Sequence, residues 1–236
     1  MIDFHSHILP EMDDGSESVE MSLAMLRESQ RQGVDLICCT SHFYADEEDP
    51  ASFLRRRAAA VARLTAAMEN PEDYPQILLG AEVLYFPGIS GAEEVKGLRL
   101  EHFPFLLVEP PMMPWTDDML DEVEDCGKTL QCVPVIAHID RYMRILHDQT
   151  LFERVSGRKL LIQVNASFFI HRDTQEFALE CLRRDRFHFI GSDCHNMDDR
   201  RPNIGKATGV IREAGAAGYL ANLSKRQYRI LGDRET

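Results

Sequence analysis

The chain has 236 residues, 44% hydrophobic and 28% charged, which suits one well-buried α/β domain over residues 1–236 better than two small ones. A formal charge of −13 disfavours a broad phosphate-backbone footprint, so nucleic acid is not an expected partner. No stretch approaches the ~18 apolar residues of a membrane span, and the first residues lack a secretion-signal pattern; no membrane insertion and a cytoplasmic location are expected.

Residues 2–4 form a short apolar run that leads into His5 and His7. A helix is predicted over 17–32, with Val19, Leu23 and Leu26 on one face, Ser16 or Ser18 as N-cap and Gly33 as its stop. The run 36–40 leads to His42. A helix over 50–69 opens on Asp49-Pro50 and is expected to bury Leu54, Ala58, Val61, Leu64 and Met68. The runs 77–81 and 105–108 end at Glu82 and Glu109. Thr116-Asp117-Asp118 opens a helix with Leu120, Val123, Gly127 and Leu130 inward. The runs 133–137, 160–164 and 187–192 lead to His138, to Asn165, and to Asp193 and His195. Shorter helices fit 148–156, 174–185 and 204–218, and Ser224 is expected to cap a last one.

Apolar runs of this length separated by helices read as buried parallel strands joined by right-handed crossovers. Polar residues where each strand stops occupy the position in which α/β barrels keep their chemistry. A closed or nearly closed barrel brings the first and last strands to one mouth; an open doubly wound sheet would hold them apart. The fold expected is therefore a single-domain, distorted (β/α)7 barrel of the TIM-like kind.

His5-Ser6-His7 places two imidazoles on the same side of an extended segment, where they can grip one cation, although H-x-H alone is a weak signal. By itself Asp13-Asp14-Gly15 reads as a turn. Glu82 and Glu109 each end an apolar run, where a charge must be paired or bind a cation. Five histidines and four carboxylates form a mixed nitrogen and oxygen set suited to Mn²⁺, Fe²⁺ or Zn²⁺, enough for three ions if one carboxylate bridges. Three dications would outweigh Asp14, Glu82, Glu109 and Asp193 by two charges. With Arg141 and Arg200 nearby in sequence, that pocket matches a phosphate dianion and a metal-bound hydroxide, which points to phosphoester hydrolysis.

At this point the motifs are diagnostic together. His5-Ser6-His7-Ile8-Leu9-Pro10 with Asp13-Asp14-Gly15, then Thr40-Ser41-His42, Gly80-Ala81-Glu82, Val108-Glu109, Ala137-His138-Ile139-Asp140-Arg141-Tyr142, Gln163-Val164-Asn165-Ala166 and Ser192-Asp193-Cys194-His195-Asn196 run nearly end to end. In these the chain resembles the polymerase-and-histidinol-phosphatase (PHP) family, in particular the CpsB-type manganese-dependent tyrosine phosphatases of bacterial capsule and exopolysaccharide operons. The resemblance implies a seven-stranded barrel with a trinuclear site. It assigns His5, His7, Glu82 and Asp193 to one metal, Glu82, Glu109 and His138 to a second, and Asp14, His42 and His195 to a third. It makes Arg141 and Arg200 the phosphate-binding arginines. Mn²⁺ is the implied metal, with Fe²⁺, Zn²⁺ or Co²⁺ as alternatives. The implied substrate is a phosphotyrosine protein, a bacterial tyrosine kinase controlling polysaccharide export, hydrolysed by metal-hydroxide attack. An oligomer is compatible with the sequence. Ser41 and Phe43 beside His42, and Asp140 where the pattern has Glu, depart from the family; Phe43 is expected at the substrate mouth.

A small-molecule phosphatase such as a histidinol-phosphate phosphatase is the nearest rival, ahead of a nuclease or editing module and of an inactive metal-binding scaffold. His102, His147, His171 and His188 read as surface or core histidines, and Arg55-Arg56-Arg57 as a solvated face. Met112-Met113-Pro114-Trp115 fits either an aromatic wall or a loop packed on the rim. Asn165 reads as a residue that orients ligands, an amide being a poor ligand itself. Six cysteines (38, 39, 126, 132, 181, 194) form no C-x-x-C pair and read as small buried thiols in a reducing compartment. Cys194 and Arg200 match the C-x5-R spacing of cysteine-dependent phosphatases, but the intervening residues hold no glycine and two acids, so the match reads as accidental.

Overall fold

Short parallel strands alternate with helices along the whole chain, in the order that the apolar runs predict. The computed structural model describes residues 1–146 and 150–232. The strand segments are β1 (Ile2–Ser6), β2 (Leu36–Cys39), β3 (His42–Phe43), β4 (Gln76–Leu79), β5 (Glu82–Leu84), β6 (Phe105–Glu109), β7 (Val133–Ile136), β8 (Leu161–Asn165) and β9 (Phe189–Gly191). The helices are α1 (Val19–Arg31), α2 (Pro50–Ala66), α3 (Asp117–Thr129), α4 (Ile139–Ile145), α5 (Leu151–Ser156), α6 (Ser167–Ile170), α7 (Gln175–Arg183), α8 (Ile204–Glu213) and α9 (Ala217–Gly232). No helix among the described residues is long and apolar enough to cross a membrane.

One sheet has the order β1-β2-β4 and the other β3-β5-β6-β7-β8-β9, all parallel. Two of the predicted strands are interrupted. Thr40-Ser41 separates β2 from β3, and Gly80-Ala81 separates β4 from β5, so His42 and Glu82 each begin a short strand of their own and pair in register. The sheets meet again at a seam between β1 and the segment after β9. There the Asp193 N–H donates to His5 O at 2.8 Å, the His7 N–H to Cys194 O at 2.9 Å and the Ser192 N–H to Asp3 Oδ1 at 2.8 Å. Asp3 is fully buried, and burial pushes its carboxyl up to about 6 against the hydrogen bonds from Ser192.

The curl is legible in three rings. Phe105 on β6 lies three strands from Phe189 on β9, roughly 14 Å away in a flat sheet at ~4.8 Å per strand. Their ring centroids are 5.6 Å apart, and Phe4 on β1 stacks on Phe189 at 3.7 Å while meeting Phe105 edge-on at 6.1 Å. Successive strand residues divide between two apolar clusters. Ile2, Phe4, Leu36, Cys38, Leu78, Phe105, Leu107, Val135 and Phe189 join the inner one, and Ile37, Cys39, Leu106, Val108, Ile136, Ile162, Val164 and Ile190 the outer one beneath the helices. Both faces are buried, which is why the strands read as continuous apolar runs.

The caps agree with the sequence. The side chains of Ser18, Asp49 and Thr116 accept from the N–H groups of Met21, Ser52 and Met119, and α1 stops at Gln32-Gly33. Several expectations need correction. Ala58 is exposed, and Phe53, Ala60 and Leu64 form the buried stripe of α2. Arg57 leaves the solvated face of Arg55 and Arg56 and donates to Gly80 O at 2.7 Å, tying α2 to the break between β4 and β5. Ser224 lies inside α9, because the region predicted as one helix over 204–218 divides at Gly215. The four-residue α6 and seven-residue α4 are too short to show a helical stripe in sequence. The predicted helix 148–156 begins on residues outside the described ones, as does His147. All six cysteines are buried free thiols.

His188, one of the histidines outside the motifs, is a structural acceptor. Its Nδ1 accepts from the Ile162 N–H at 3.0 Å, and burial, with Arg226 nearby, pushes its pKa from 6.5 down to about 4. The unfolded chain takes up that proton at the higher pH, so the contribution is complete above pH 6.5 and declines as the pH falls towards 4. His188→Asn keeps an acceptor but removes the titration. Urea unfolding between pH 7.5 and 4.5 is expected to show a shallower loss of stability on acidification for this variant than for the wild type.

Candidate metal centre

All nine residues proposed as ligands converge at the C-terminal ends of the strands. Glu82 is at the centre, fully buried at the start of β5. Its Oε2 lies 3.1 Å from His5 Nε2, 3.2 Å from His7 Nε2 and 3.1 Å from His42 Nδ1, and its Oε1 lies 2.7 Å from His138 Nε2. Glu109, at the end of β6, reaches His138 at 3.5 Å and His42 at 3.6 Å. Asp193 Oδ1 is 3.8 Å from His5, 3.6 Å from His7 and 3.7 Å from His195. Asp14, largely exposed in the loop after β1, faces His195 at 3.4 Å and His42 at 3.7 Å.

Donor atoms within 4.8 Å of one another form four groups: His7, Asp14, His42 and His195; His5, Glu82 and His138; His5, His7 and Asp193; and His42, Glu82 and Glu109. The third expected set is thus together with His7 added. Glu82 occurs in two of the groups, the position expected of a bridge, and Glu109 groups with His42 as well as approaching His138. The donor set fits divalent cations. Among the described residues neither His42 Nδ1, although 3.1 Å from Glu82 Oε2, nor His195 Nε2 makes a hydrogen bond, which is costly for a buried nitrogen unless a cation takes the lone pair. Burial holds His138 down at about 4 and, with His7 beside it, His195 at about 2, so both rings are neutral and able to ligate. Burial acts to raise Glu82, but His5 and His138 hold it below the usual carboxylate range. Burial and the neighbouring Glu82 push Glu109 up to about 7.

The backbone is forced to make this arrangement. His138 (φ 28°) and Asp193 (φ 53°) both adopt left-handed conformations, which non-glycine residues hold only when their surroundings fix them. The His138 N–H donates to Gln163 Oε1 at 2.6 Å, and Asp193 is held by the seam. Gly191 lies against His5, where an added Cβ would come within 2.5 Å of the His5 Cβ; at Gly15 it would lie 2.3 Å from His7 O.

Three orienting residues had no assigned role in the sequence. Asp13 Oδ2 accepts from the His42 N–H at 2.8 Å and lies 2.8 Å from His7 Nδ1, while its Oδ1 accepts from the Gly15 N–H in the expected turn. Gln163 Oε1 also lies 3.3 Å from His5 Nδ1. A signal for it existed: the alternation that puts Leu161 inward puts Gln163 inward too. Asp3, at the seam, gave no signal beyond its place between two apolar residues. Asn165 behaves as expected, donating through Nδ2 to Asp193 Oδ2 at 2.9 Å, and Asp140 accepts from the Asn165 N–H at 2.9 Å.

Arg141 pairs with Asp193 and lies 3.6 Å from Glu109, and Arg200 donates to Asp193 at 2.9 Å and faces Asp14 at 3.6 Å. Both line a cavity of about 230 Å³ beside the cluster, together with Asn165, Phe168, His171 and Arg201. His171 is therefore at the cavity wall, whereas His102 is exposed. Phe43 is not at the mouth. It is buried edge-on against Phe53 at 5.7 Å. Trp115 is likewise buried, edge-on to Tyr142 at 4.9 Å, so the loop packs on the rim and exposes Met112 and Met113. Cys194 is fully buried, and burial with the nearby Asp3 pushes its thiol well above the usual range, which removes the C-x5-R reading.

A curled parallel α/β sheet carrying a cluster of histidines and carboxylates beside a cavity lined by arginine defines a candidate metallohydrolase. The profile of the family described as "Capsular polysaccharide synthesis, CpsB/CapC" matches residues 1–228, and the chain belongs to that family. It is 31% identical over 224 residues to the tyrosine-protein phosphatase CpsB of Streptococcus agalactiae, covering 89% of each chain. It is 27% identical over 223 residues to the tyrosine-protein phosphatase YwqE of Bacillus subtilis, covering 90% of this chain and 84% of that one. Its fold matches a structure from the work on YwqE and Streptococcus pneumoniae CpsB, described as unique metal-dependent tyrosine phosphatases, with a TM-score of 0.80 and 24% identity over 98% of this chain and 94% of that one.

Gln163 offers a test that does not touch a ligand. Gln163→Ala is expected to lower metal affinity about 10- to 100-fold, as loss of an orienting partner does, and equilibrium dialysis with metal analysis measures it.

Proposed function

We propose that this chain is a metal-dependent protein-tyrosine phosphatase of capsular or exopolysaccharide synthesis. The observation that carries the reading is the convergence of five histidines and four carboxylates, Glu82 between them, beside a cavity lined by Arg141 and Arg200. In this reading the strand segments count as seven, β2 with β3 and β4 with β5 each being one interrupted strand of a distorted (β/α)7 barrel. Residues 1–236 act as a single domain.

His5, His7, Glu82 and Asp193 would hold one cation, Glu82, Glu109 and His138 a second, and Asp14, His42 and His195 a third, with Mn²⁺ the favoured ion. Bound divalent cations supply Lewis acidity, lowering the pKa of water and offsetting phosphate charge. The chain's own part is positioning. Asp193 ties Arg141 and Arg200 at the cavity wall, where two guanidiniums can hold the equatorial oxygens of a phosphoryl group and bind them more tightly as charge develops. Phe168 gives the same cavity an apolar wall for an aryl group. A phenol, with a pKa near ~10, leaves with less proton donation than an alcohol, so the reaction places little demand on a general acid. The proposed substrate is a phosphotyrosine protein, a bacterial tyrosine kinase of the polysaccharide export machinery, met in the cytoplasm.

The decisive assay compares a phosphotyrosine peptide with histidinol phosphate while Mn²⁺ is titrated into chelator-treated protein. Turnover of the peptide is expected to vanish with the metal and return with Mn²⁺; full activity in metal-free protein would refute the reading. Glu82→Ala is expected to lose metal and activity together. Arg141→Ala or Arg200→Ala should keep the metal and lower kcat/KM by about 10²-fold. Cys194→Ser, nearly isosteric, should retain most activity, and a phosphocysteine found by mass spectrometry would overturn the mechanism.

A further inference from the structure

The cavity beside the metal centre does not end where a phosphate and an aryl ring would need it to. Asp140, Arg144, Phe168 and Thr174 line it and also line a second hollow of about 570 Å³, so the two adjoin. Their characters differ. The first is walled by Arg141, Arg200 and Arg201, whereas the second adds Met143 and Phe177 to the Phe168 they share. The apolar wall is anchored: Phe177 packs edge-on to Phe152 at 6.1 Å and to Phe168 at 6.0 Å, and Phe168 is itself buried. Four ionisable side chains, Asp140, Arg144, Glu153 and Asp173, stand at its edge around that apolar wall. Arg144 is exposed and has no carboxylate partner among the described residues. Hydrolysis of an aryl phosphate leaves this second hollow unused.

We propose that it is a second substrate subsite, which takes a bulky apolar side chain of the peptide that carries the phosphotyrosine. This rests on the phosphatase reading and deepens it. An extended peptide advances ~3.3 Å per residue, so a side chain within about three residues of the phosphotyrosine spans two adjoining hollows. An apolar pocket discriminates by burial, and the loss of a large side chain from such a pocket changes kcat/KM by about tenfold or more. Arg144, lining both hollows, is placed to meet the peptide backbone or an acidic neighbour between the two side chains. Specificity on this account lies in α4, α6 and α7, outside the proposed ligands.

The test uses Mn²⁺-loaded protein and phosphopeptides of one length, with a single phosphotyrosine in an alanine and serine background. Leucine or phenylalanine is placed singly at each of the three positions on either side. At one or more positions kcat/KM is expected to rise about tenfold over the alanine peptide, through KM with kcat unchanged. Met143→Asp should bring that ratio close to one, and Met143→Leu should preserve it, so a general loss of folding cannot mimic the result. Equal kcat/KM at every position, or a preference that survives Met143→Asp, overturns the subsite while leaving the phosphatase reading intact. Failure to hydrolyse any phosphotyrosine peptide while histidinol phosphate is consumed overturns the phosphatase reading, and the subsite with it.

Discussion

A fully buried carboxylate, that of Glu82, has imidazole nitrogens from His5, His7, His42 and His138 within 3.2 Å of its oxygens. A carboxylate removed from water costs several kcal/mol unless partners surround it. Here the partners come from the ends of β1 and β7 and the start of β3, so strand register and electrostatics are one constraint. Displacing β3 by one residue against β5 would move His42 away from Glu82 and turn its ring to the other face. The breaks between β2 and β3 and between β4 and β5 serve this constraint, since they let His42 and Glu82 start paired segments of their own above the apolar interior.

Outside that inner ring lies a layer of groups that fix ring orientation. Asp13 faces His7, Gln163 faces His5 and the His138 backbone, and Asn165 faces Asp193. Two of the inner residues, His138 and Asp193, hold positive φ, and both are restrained by hydrogen bonds of their own N–H groups. The conformational cost of each, of order 1–3 kcal/mol, is offset by neighbours that have no direct part in the chemistry.

Much of this was legible in the sequence. Each apolar run became a strand because burial on both faces leaves a continuous apolar signal, and a polar residue ending such a run has few places to go except a shared mouth. The interruptions were not legible, since Thr40-Ser41 and Gly80-Ala81 carry no turn signature strong enough to break a strand. Asp13 was hidden by its own turn, which satisfies the D-G pattern while its second oxygen does something else. Phe43 misled because adjacency to a ligand says nothing about which face of a strand a side chain takes; alternation turns it into the core against Phe53. Arg57 misled for a related reason: a single residue step along the helix, about 100° of rotation, separates a solvated arginine from one that reaches a strand break.

The seam between β1 and the segment after β9 has a temporal consequence. The hydrogen bond from Ser192 to Asp3 joins residues 189 apart in the chain. Closing a loop of that length carries an entropy cost of about 5 kcal/mol, which no local element can offset alone. Contacts so distant slow folding, as the rates of proteins of differing contact order show. During synthesis His5 and His7 leave the ribosome long before Asp193 and His195 exist. A growing chain thus displays isolated imidazoles and carboxylates, weak competitors for any ion. Glu82, Glu109, His42 and His138 can gather before the end of the chain is made, but the groups that contain Asp193 or His195 are complete only when the segment after β9 docks against β1.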